Sequence, residues 1–149
     1  MTDFVSALGA ELESKSGKVS TAEALEGKRY VMLYFSAHWC PPCRGFTPAL
    51  AEKFKASAEE KQIAVVFVSS DRDEPAFNEY FAEMPWLALP FAARDAKSAL
   101  GEKYGVRGIP SLIVLDGTGE LVTKEGRAQV DTFFSGDGKA AKTGGCAIS

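Results

Sequence analysis

The chain has 149 residues, 46% of them hydrophobic and 25% charged, which suits one domain with a single buried core. A formal net charge of −3 and a pI of about 5.3 give no electrostatic reason to expect nucleic acid as a partner. No apolar stretch reaches the length of about 18 residues that a membrane-spanning helix needs, and the first residues do not resemble a secretion signal. We therefore expect a cytoplasmic protein.

Helices and strands are predicted to alternate along most of the chain. The apolar runs at 30–35 and 63–68 are nearly continuous, which is typical of central strands covered on both faces. In chain order we predict a helix at 4–13, an edge strand at 19–21, a helical turn at 23–26, a strand at 30–35, a helix at 41–60, a strand at 63–68, a helix at 74–84, a short strand or connection at 86–91, a helix at 95–104, a hairpin of 112–115 with 120–123, and a last helix at 128–134.

This order of elements predicts an α/β fold. We expect a central mixed β-sheet flanked by helices on both faces, with a closing β-hairpin and a C-terminal helix. The single domain is predicted to cover residues 1–135. Residues 136–149 contain glycine and lysine, and this composition predicts a flexible tail outside the core.

Two cysteines separated by two prolines follow the first apolar strand. If a helix begins at Cys40, the α-carbons of Cys40 and Cys43 are about 5–6 Å apart, a distance that permits an unstrained disulfide. The positive end of the helix favours a thiolate at Cys40. Pro41 and Pro42 have no amide hydrogens, so the nearest donors to this thiolate belong to Cys43. The pattern predicts disulfide exchange, with Cys40 as the accessible nucleophile and Cys43 as the less exposed, resolving thiol.

Two other interpretations of the cysteine pair remain. A zinc site needs about four ligands, and only His38 and Cys146 are left as further Cys or His donors. A permanent structural disulfide is also possible, but a bridge over so short a segment closes almost no loop and stabilises little. Both are weaker interpretations than a redox-active dithiol. We accordingly predict no metal and no cofactor.

Four segments of the sequence resemble the nucleoredoxin and tryparedoxin group of thioredoxin-fold proteins. They are residues 34–48, which contain Trp-Cys-Pro-Pro-Cys, residues 69–74, residues 84–91, which contain Met-Pro-Trp-Leu-Ala, and residues 108–116. Ordinary thioredoxins have Gly-Pro between the cysteines and lack the third segment. The resemblance implies a thioredoxin-like fold and a dithiol–disulfide oxidoreductase that reduces protein disulfides.

The resemblance also implies roles at individual positions. Cys40 attacks the substrate disulfide, and Cys43 resolves the mixed disulfide that results. Trp39 is part of the docking surface beside the nucleophile. Pro110 matches a cis-proline that faces the dithiol, and the backbone of Ile109 pairs with the substrate in the manner of a strand. Without the resemblance, a proline that simply opens an edge strand is the alternative for Pro110.

Further residues are predicted to shape the site. Tyr34 stands where ordinary thioredoxins have a buried aspartate that helps to move the Cys43 proton. Asp71 follows the second apolar strand and is the candidate replacement for that base, because such strand ends point toward the site in open α/β sheets. A helix cap or a solvated turn residue is the alternative for Asp71. Arg44 and His38 could add positive potential near the thiolate, although both also suit ordinary surface positions.

The implied partners are disulfide-containing proteins such as peroxiredoxins. A flavoprotein reductase or a low-molecular-weight thiol is the implied electron donor. A second hypothesis, from a different functional class, is a redox-sensitive binding module that docks partners through Trp39, Ile109 and Pro110. In that case the dithiol acts only as a switch.

The last four residues form a possible lipidation signal. Cys146-Ala-Ile-Ser149 fits the pattern Cys-aliphatic-aliphatic-X, in which a terminal serine favours a farnesyl group. Lys139 and Lys142 add a little attraction to anionic lipid. An incidental tail cysteine and an additional redox thiol are the alternatives. Because one prenyl chain gives only reversible membrane association, we expect a cytoplasmic protein that can bind membranes peripherally.

Overall fold

A computed structural model describes residues 4–135, which form a seven-stranded mixed sheet in the order β2-β1-β5-β4-β3-β6-β7. The predicted tail, with Cys146, lies outside the described residues. The elements are α1 (Phe4–Leu8), β1 (Glu11–Ser14), β2 (Gly17–Ser20), α2 (Thr21–Leu25), β3 (Tyr30–Ser36), α3 (Pro41–Lys61), β4 (Ile63–Ser69), α4 (Glu74–Phe81), β5 (Leu87–Ala88), α5 (Arg94–Lys103), β6 (Ser111–Asp116), β7 (Leu121–Thr123) and α6 (Val130–Ser135).

The two predicted central strands are confirmed as parallel neighbours. Every residue of β3 and of β4 is buried, and their register runs from Tyr30 opposite Ile63 to Ser36 opposite Ser69. Strand β6 lies antiparallel on the other side of β3, with Ser111 opposite Phe35. The last residues of β3 and β4 and the first residue of β6 therefore lie at the same end of the strands.

Side chains that alternate along the strands fill two hydrophobic cores, one on each face. Met32 and Tyr34 of β3 belong to the first core, together with residues of α3, α4 and α6. Leu33 and Phe35 belong to the second, together with residues of α1, α2 and α5. The predicted α/β fold, with a mixed sheet between two layers of helices, is confirmed.

The first predicted helix is wrong in its second half. Helix α1 ends at Leu8, and Gly9 adopts a positive φ of 92°, a conformation that favours glycine and interrupts the helix. Residues 11–14 form β1, which pairs with β2 and, through Glu13 opposite Ala88, with β5. Leu12 is fully buried in the second core. Burial of this one side chain suits a strand as well as a helix, so the sequence spacing alone was ambiguous.

The longest helix, α3, positions the cysteines. It has 21 residues, with Pro41 and Pro42 in its first turn, and it ends at Gln62 in the left-handed conformation. Prolines suit the first turn because amide hydrogens there have no partner within the helix. Among residues 4–135 no helix is both long enough and apolar enough to cross a bilayer.

Gly126 provides a test of the packing between the segment after β7 and β6. A Cβ atom at Gly126 would lie 2.6 Å from the Leu112 carbonyl oxygen and 2.9 Å from Val114 Cγ2. We expect Gly126→Ala to lower the free energy of unfolding by about 1–3 kcal/mol in urea denaturation, because buried backbone must move. The control is Gly101→Ala within α5, where a Cβ would have no neighbour within 4 Å. It should raise the free energy by about 0.5–1 kcal/mol, and equal effects of the two changes would contradict this account.

Candidate active site

The segment between β3 and α3 carries the two cysteines to the end of the sheet. Cys40 is the N-cap of α3, with an extended backbone at φ −100° and ψ 108°. Its amide donates to the Ala37 carbonyl at 3.2 Å, and its carbonyl accepts from the Arg44 amide at 3.0 Å. The Cys40 side chain is therefore held at the positive end of a long helix, a position that stabilises a thiolate.

Both cysteines are free thiols, and they differ in burial. Cys40 is 5% exposed, whereas Cys43 is completely buried. Burial, followed by a hydrogen bond with Cys40, raises the pKa of Cys43 to about 11. Cys43 therefore remains a thiol at neutral pH and can donate to the Cys40 sulfur. Cys40 is the sulfur with access to solvent, although less of its surface is open than the sequence led us to expect.

The segment before β6 faces the cysteines. The Ile109–Pro110 bond is cis, and the Ile109 carbonyl oxygen lies 3.9 Å from the Cys40 sulfur, which is positioned as its donor. Ile109 also packs against the small cluster that contains both cysteines. Arg127 holds this segment from the far side, since its Nη1 donates to the Pro110 carbonyl at 3.0 Å. The structure therefore brings the Ile109 backbone to the dithiol, with Pro110 next to it in the chain.

Trp39 is the large exposed side chain next to the nucleophile. It is 50% exposed, yet its Nε1 donates to the Ser70 carbonyl at 3.0 Å, and the Arg72 guanidinium lies 5.2 Å from its ring centroid. A groove of about 510 Å³ runs from Trp39 and Ile109 toward α5. The indole is thus fixed in orientation while half of the Trp39 surface remains exposed.

Asp71 fastens the cysteine loop to β4. It is 4% exposed, with one carboxylate oxygen accepting from the His38 amide at 2.7 Å and the other accepting from Ser69 Oγ at 2.8 Å. The helix cap of α4 is Asp73, and Asp71 is not solvated, so neither alternative considered for it matches the structure. Its role as a proton acceptor stays a prediction, because its two oxygens accept from His38 and Ser69 and, among the described residues, neither contacts a cysteine.

His38 and Arg44 lie at the rim of the site. The His38 ring is 5.2 Å from the Tyr80 ring, and its Nδ1 is 3.7 Å from a Glu79 carboxylate oxygen, which forms an ion pair when the histidine is protonated. Arg44 is exposed, one turn into α3 from Cys40. His38, when it is protonated, can contribute positive potential near the Cys40 thiolate. Arg44 can do so as well, but its charge acts through the surrounding solvent.

A cluster of four buried hydroxyl groups lies beneath Cys43. The Tyr34 hydroxyl is 2.6 Å from Thr47 Oγ1, and Ser36 Oγ is 2.9 Å from the Tyr80 hydroxyl, which also contacts Thr47 Oγ1. Thr47 Oγ1 donates to the Cys43 carbonyl at 2.9 Å. We call Tyr34, Ser36, Thr47 and Tyr80 the hydroxyl cluster. Burial raises the pKa of both tyrosines, so both remain neutral.

Sequence reasoning identified only Tyr34 of the hydroxyl cluster. Thr47 was recognisable in principle, since it lies four residues after Cys43 on the otherwise apolar inner side of α3. Ser36 was similarly detectable as a polar residue ending a buried strand. Tyr80 lies among the apolar residues of α4, and nothing local indicates that its hydroxyl reaches Ser36 and Thr47.

The described residues contain no group of three or more His, Cys, Asp or Glu side chains that could hold a metal ion.

A second opening, of about 560 Å³, is lined by Trp86, Ile63 and residues of the β1–β2 hairpin. It lies at the opposite end of β4 from the cysteines.

The chain is similar to known redox proteins. A family model described as thioredoxin-like matches residues 27–121. Nucleoredoxin of Danio rerio is 44% identical over 128 residues, which are 85% of this chain but 30% of that protein. Tryparedoxin of Trypanosoma brucei brucei is 49% identical over 120 residues, covering 80% of this chain and 82% of that one. The structure of tryparedoxin II complexed with glutathionylspermidine superposes with a TM-score of 0.78 at 38% identity, covering 81% and 84% of the two chains. This chain thus spans less than a third of the nucleoredoxin it matches.

The difference between the two thiols predicts selective alkylation. At about pH 8, some three units below the pKa of Cys43, roughly one Cys43 side chain in a thousand is ionised. We expect iodoacetamide to modify Cys40 first in the folded protein, with Cys43 reacting only as the pH rises toward 11. Peptide mapping by mass spectrometry measures both sites. The control is the same chain in urea, where both cysteines should react, and equal labelling in the folded state would contradict the prediction.

Proposed function

This chain belongs to the thioredoxin-like family, in the group of nucleoredoxins and tryparedoxins, and we propose that it reduces protein disulfides through Cys40 and Cys43. The relatives support thiol–disulfide oxidoreductase activity in general. The observation that carries the finer proposal is the pair of free thiols one helical turn apart, with only Cys40 open to solvent.

The proposed reaction consists of two thiol–disulfide exchanges. The Cys40 thiolate attacks one sulfur of the substrate disulfide, and the other substrate sulfur leaves as a thiolate. Cys43 then attacks the Cys40 sulfur of the mixed disulfide. The second substrate thiol departs, and a Cys40–Cys43 disulfide remains. One substrate disulfide is reduced to two thiols while the protein dithiol is oxidised.

The surroundings of Cys40 favour a protein substrate over a small one. Ile109 contacts the Cys40 sulfur, Trp39 precedes Cys40 in the chain, and both line a groove of about 510 Å³. The backbone at Ile109 precedes β6, where it can pair with an extended substrate segment in the manner of an added strand. We infer that disulfide-containing proteins such as peroxiredoxins are the substrate class.

The oxidised protein needs an electron donor. Tryparedoxin II, which shares the fold, has been solved as a complex with glutathionylspermidine. This supports a low-molecular-weight thiol as the donor for our chain, and a flavoprotein reductase would restore the dithiol equally well. The thiol would attack the sulfur of Cys40, which is 5% exposed, because Cys43 is completely buried.

A redox-sensitive binding module is the second candidate function. The half-exposed Trp39 ring beside the groove supports it, since a fixed and open indole is a common anchor in protein interfaces. In this case partners dock on Trp39, Ile109 and Pro110, and oxidation of the dithiol changes their affinity without turnover.

Replacing each cysteine by serine separates the two candidate functions. We expect Cys40→Ser to abolish insulin reduction and Cys43→Ser to accumulate mixed disulfides, because resolution then lacks its nucleophile. Non-reducing electrophoresis and mass spectrometry identify the trapped proteins. The double Cys40→Ser/Cys43→Ser variant is the control and should capture nothing. Undiminished turnover in Cys40→Ser would refute the reductase, and stable complexes with the double variant would favour the binding module.

We also propose that Cys146 is farnesylated and lets the protein associate reversibly with membranes from the cytoplasm. The pattern of the last four residues supports this, with Lys139 and Lys142 nearby. In protein isolated from eukaryotic cells, we expect mass spectrometry to show a prenylated C-terminal cysteine and loss of the last three residues. Cys146→Ser is the control and should keep the full unmodified tail. An unmodified Ser149 terminus on the unaltered chain would refute the proposal.

A further inference from the structure

Arg94, the first residue of α5, is a half-buried cation that the proposed reaction does not use. Its Nε donates to the Phe91 carbonyl at 2.6 Å, and its Nη1 donates to the Ser69 carbonyl at 3.2 Å. The guanidinium carbon lies 4.2 Å from the centroid of the Phe91 ring. Because a guanidinium is planar and its donors are fixed relative to one another, these contacts hold it in one orientation. Arg94 therefore ties the start of α5 to the last residue of β4.

The residues that follow Ser69 carry the anchors of the site. The Ser70 carbonyl accepts from Trp39 Nε1 at 3.0 Å, and Asp71 accepts from the His38 amide at 2.7 Å. Ser70 and Trp39 both line the groove of about 510 Å³ beside the cysteines. Arg94 thus fixes the backbone one residue before the carbonyl on which the indole is oriented.

Helix α5 supplies another part of the groove lining. Four of its residues contribute, and they are Lys97, Ser98, Gly101 and Glu102. Arg94 lies about one turn before Lys97 on the same helix, so its bond to Ser69 joins this wall of the groove to the wall that contains Trp39. Burial lowers the pKa of Arg94 and the charge of Asp71 opposes this shift, but a guanidinium stays protonated at neutral pH.

We propose that Arg94 is a positioning residue for substrate docking, which holds the α5 wall of the groove against the Trp39 wall through the Ser69 carbonyl. This inference rests on the proposed function, in which the groove receives a segment of the substrate protein. The hydrogen bonds of Arg94 go to Ser69 and Phe91 rather than to the dithiol. We therefore expect Arg94 to act on the binding of protein substrates and to leave the attack by the Cys40 sulfur unchanged.

A protein disulfide and a small disulfide together distinguish docking from chemistry. Arg94→Met keeps an unbranched side chain and removes the charge and both donors. We expect it to raise the KM for insulin roughly threefold to tenfold, the range typical of a lost hydrogen bond, with kcat unchanged. The first release of thionitrobenzoate from dithiobisnitrobenzoate reports the attack by Cys40 alone and should keep its rate. Arg94→Lys should give an intermediate KM, because a flexible ammonium keeps the charge without the planar fork.

A double-mutant cycle with Trp39→Ala tests whether the two walls act together. With the indole removed, one wall is already incomplete, so Arg94→Met should raise the KM for insulin less than about twofold in that background. Arg29→Met is the matched control. It removes another arginine that lies over an aromatic ring, 5.7 Å from the centroid of Tyr30, at the opposite end of β3 from the cysteines. It should leave the KM for insulin unchanged.

Three results would overturn the proposal. They are an unchanged KM for insulin in Arg94→Met, an equal slowing of insulin reduction and of the first thionitrobenzoate release, and the full rise in KM in the Trp39→Ala background. If Arg94→Met does not fold, a normal KM in Arg94→Lys overturns the proposal. The failure of the proposed function looks different, because the unaltered chain then does not reduce insulin at all.

Discussion

The in-register pairing of β3 with β4 and β6 is the constraint on which the site depends. Because β3 and β4 are parallel and end opposite each other at Ser36 and Ser69, the segments that follow them emerge side by side. The cysteine loop follows one strand and Asp71 follows the other, close enough for hydrogen bonds between them. The antiparallel β6 begins at this same end of the strands. The Ile109 carbonyl oxygen therefore lies 3.9 Å from the Cys40 sulfur. A slip of one residue in either pairing would turn alternate side chains to the opposite face and separate these groups.

The same register decides which side of the sheet holds the polar chemistry. Tyr34 and Ser36 are two residues apart on β3, so both point toward the layer of α3 and α4. That layer supplies Thr47 and Tyr80, and the four hydroxyls meet in an interior that is otherwise apolar. Every one of them has a hydrogen-bond partner, which is what makes such a group tolerable in a core. The arrangement is joined to Cys43 through the Cys43 carbonyl, which accepts from Thr47.

Most of the fold could be predicted from the sequence because its signals are local. Continuous apolar runs identified β3 and β4, and the Trp-Cys-Pro-Pro-Cys motif identified the start of α3. The error at residues 11–13 arose where a single buried leucine was the only signal, and these residues instead pair with β2 and β5. The two thiols and the segment at Ile109 were predicted from motif and resemblance. The partnership of Ser36 with Tyr80 was not, since the two residues are 44 positions apart and meet only through tertiary packing.

The anchoring of the cysteine loop has a consequence for recognition. Asp71 holds the amide of His38, Trp39 holds the carbonyl of Ser70, and the Cys40 amide bonds back to Ala37. The backbone freedom of this loop is therefore lost once, when the chain folds, and no further ordering entropy opposes each encounter. Because the loop is already ordered, the conformational cost of binding falls on the partner. Partners are then distinguished by how large this cost is for each of them. Under the proposed function, a partner whose cystine already lies in an extended, mobile segment is favoured over one that must first unfold to present it.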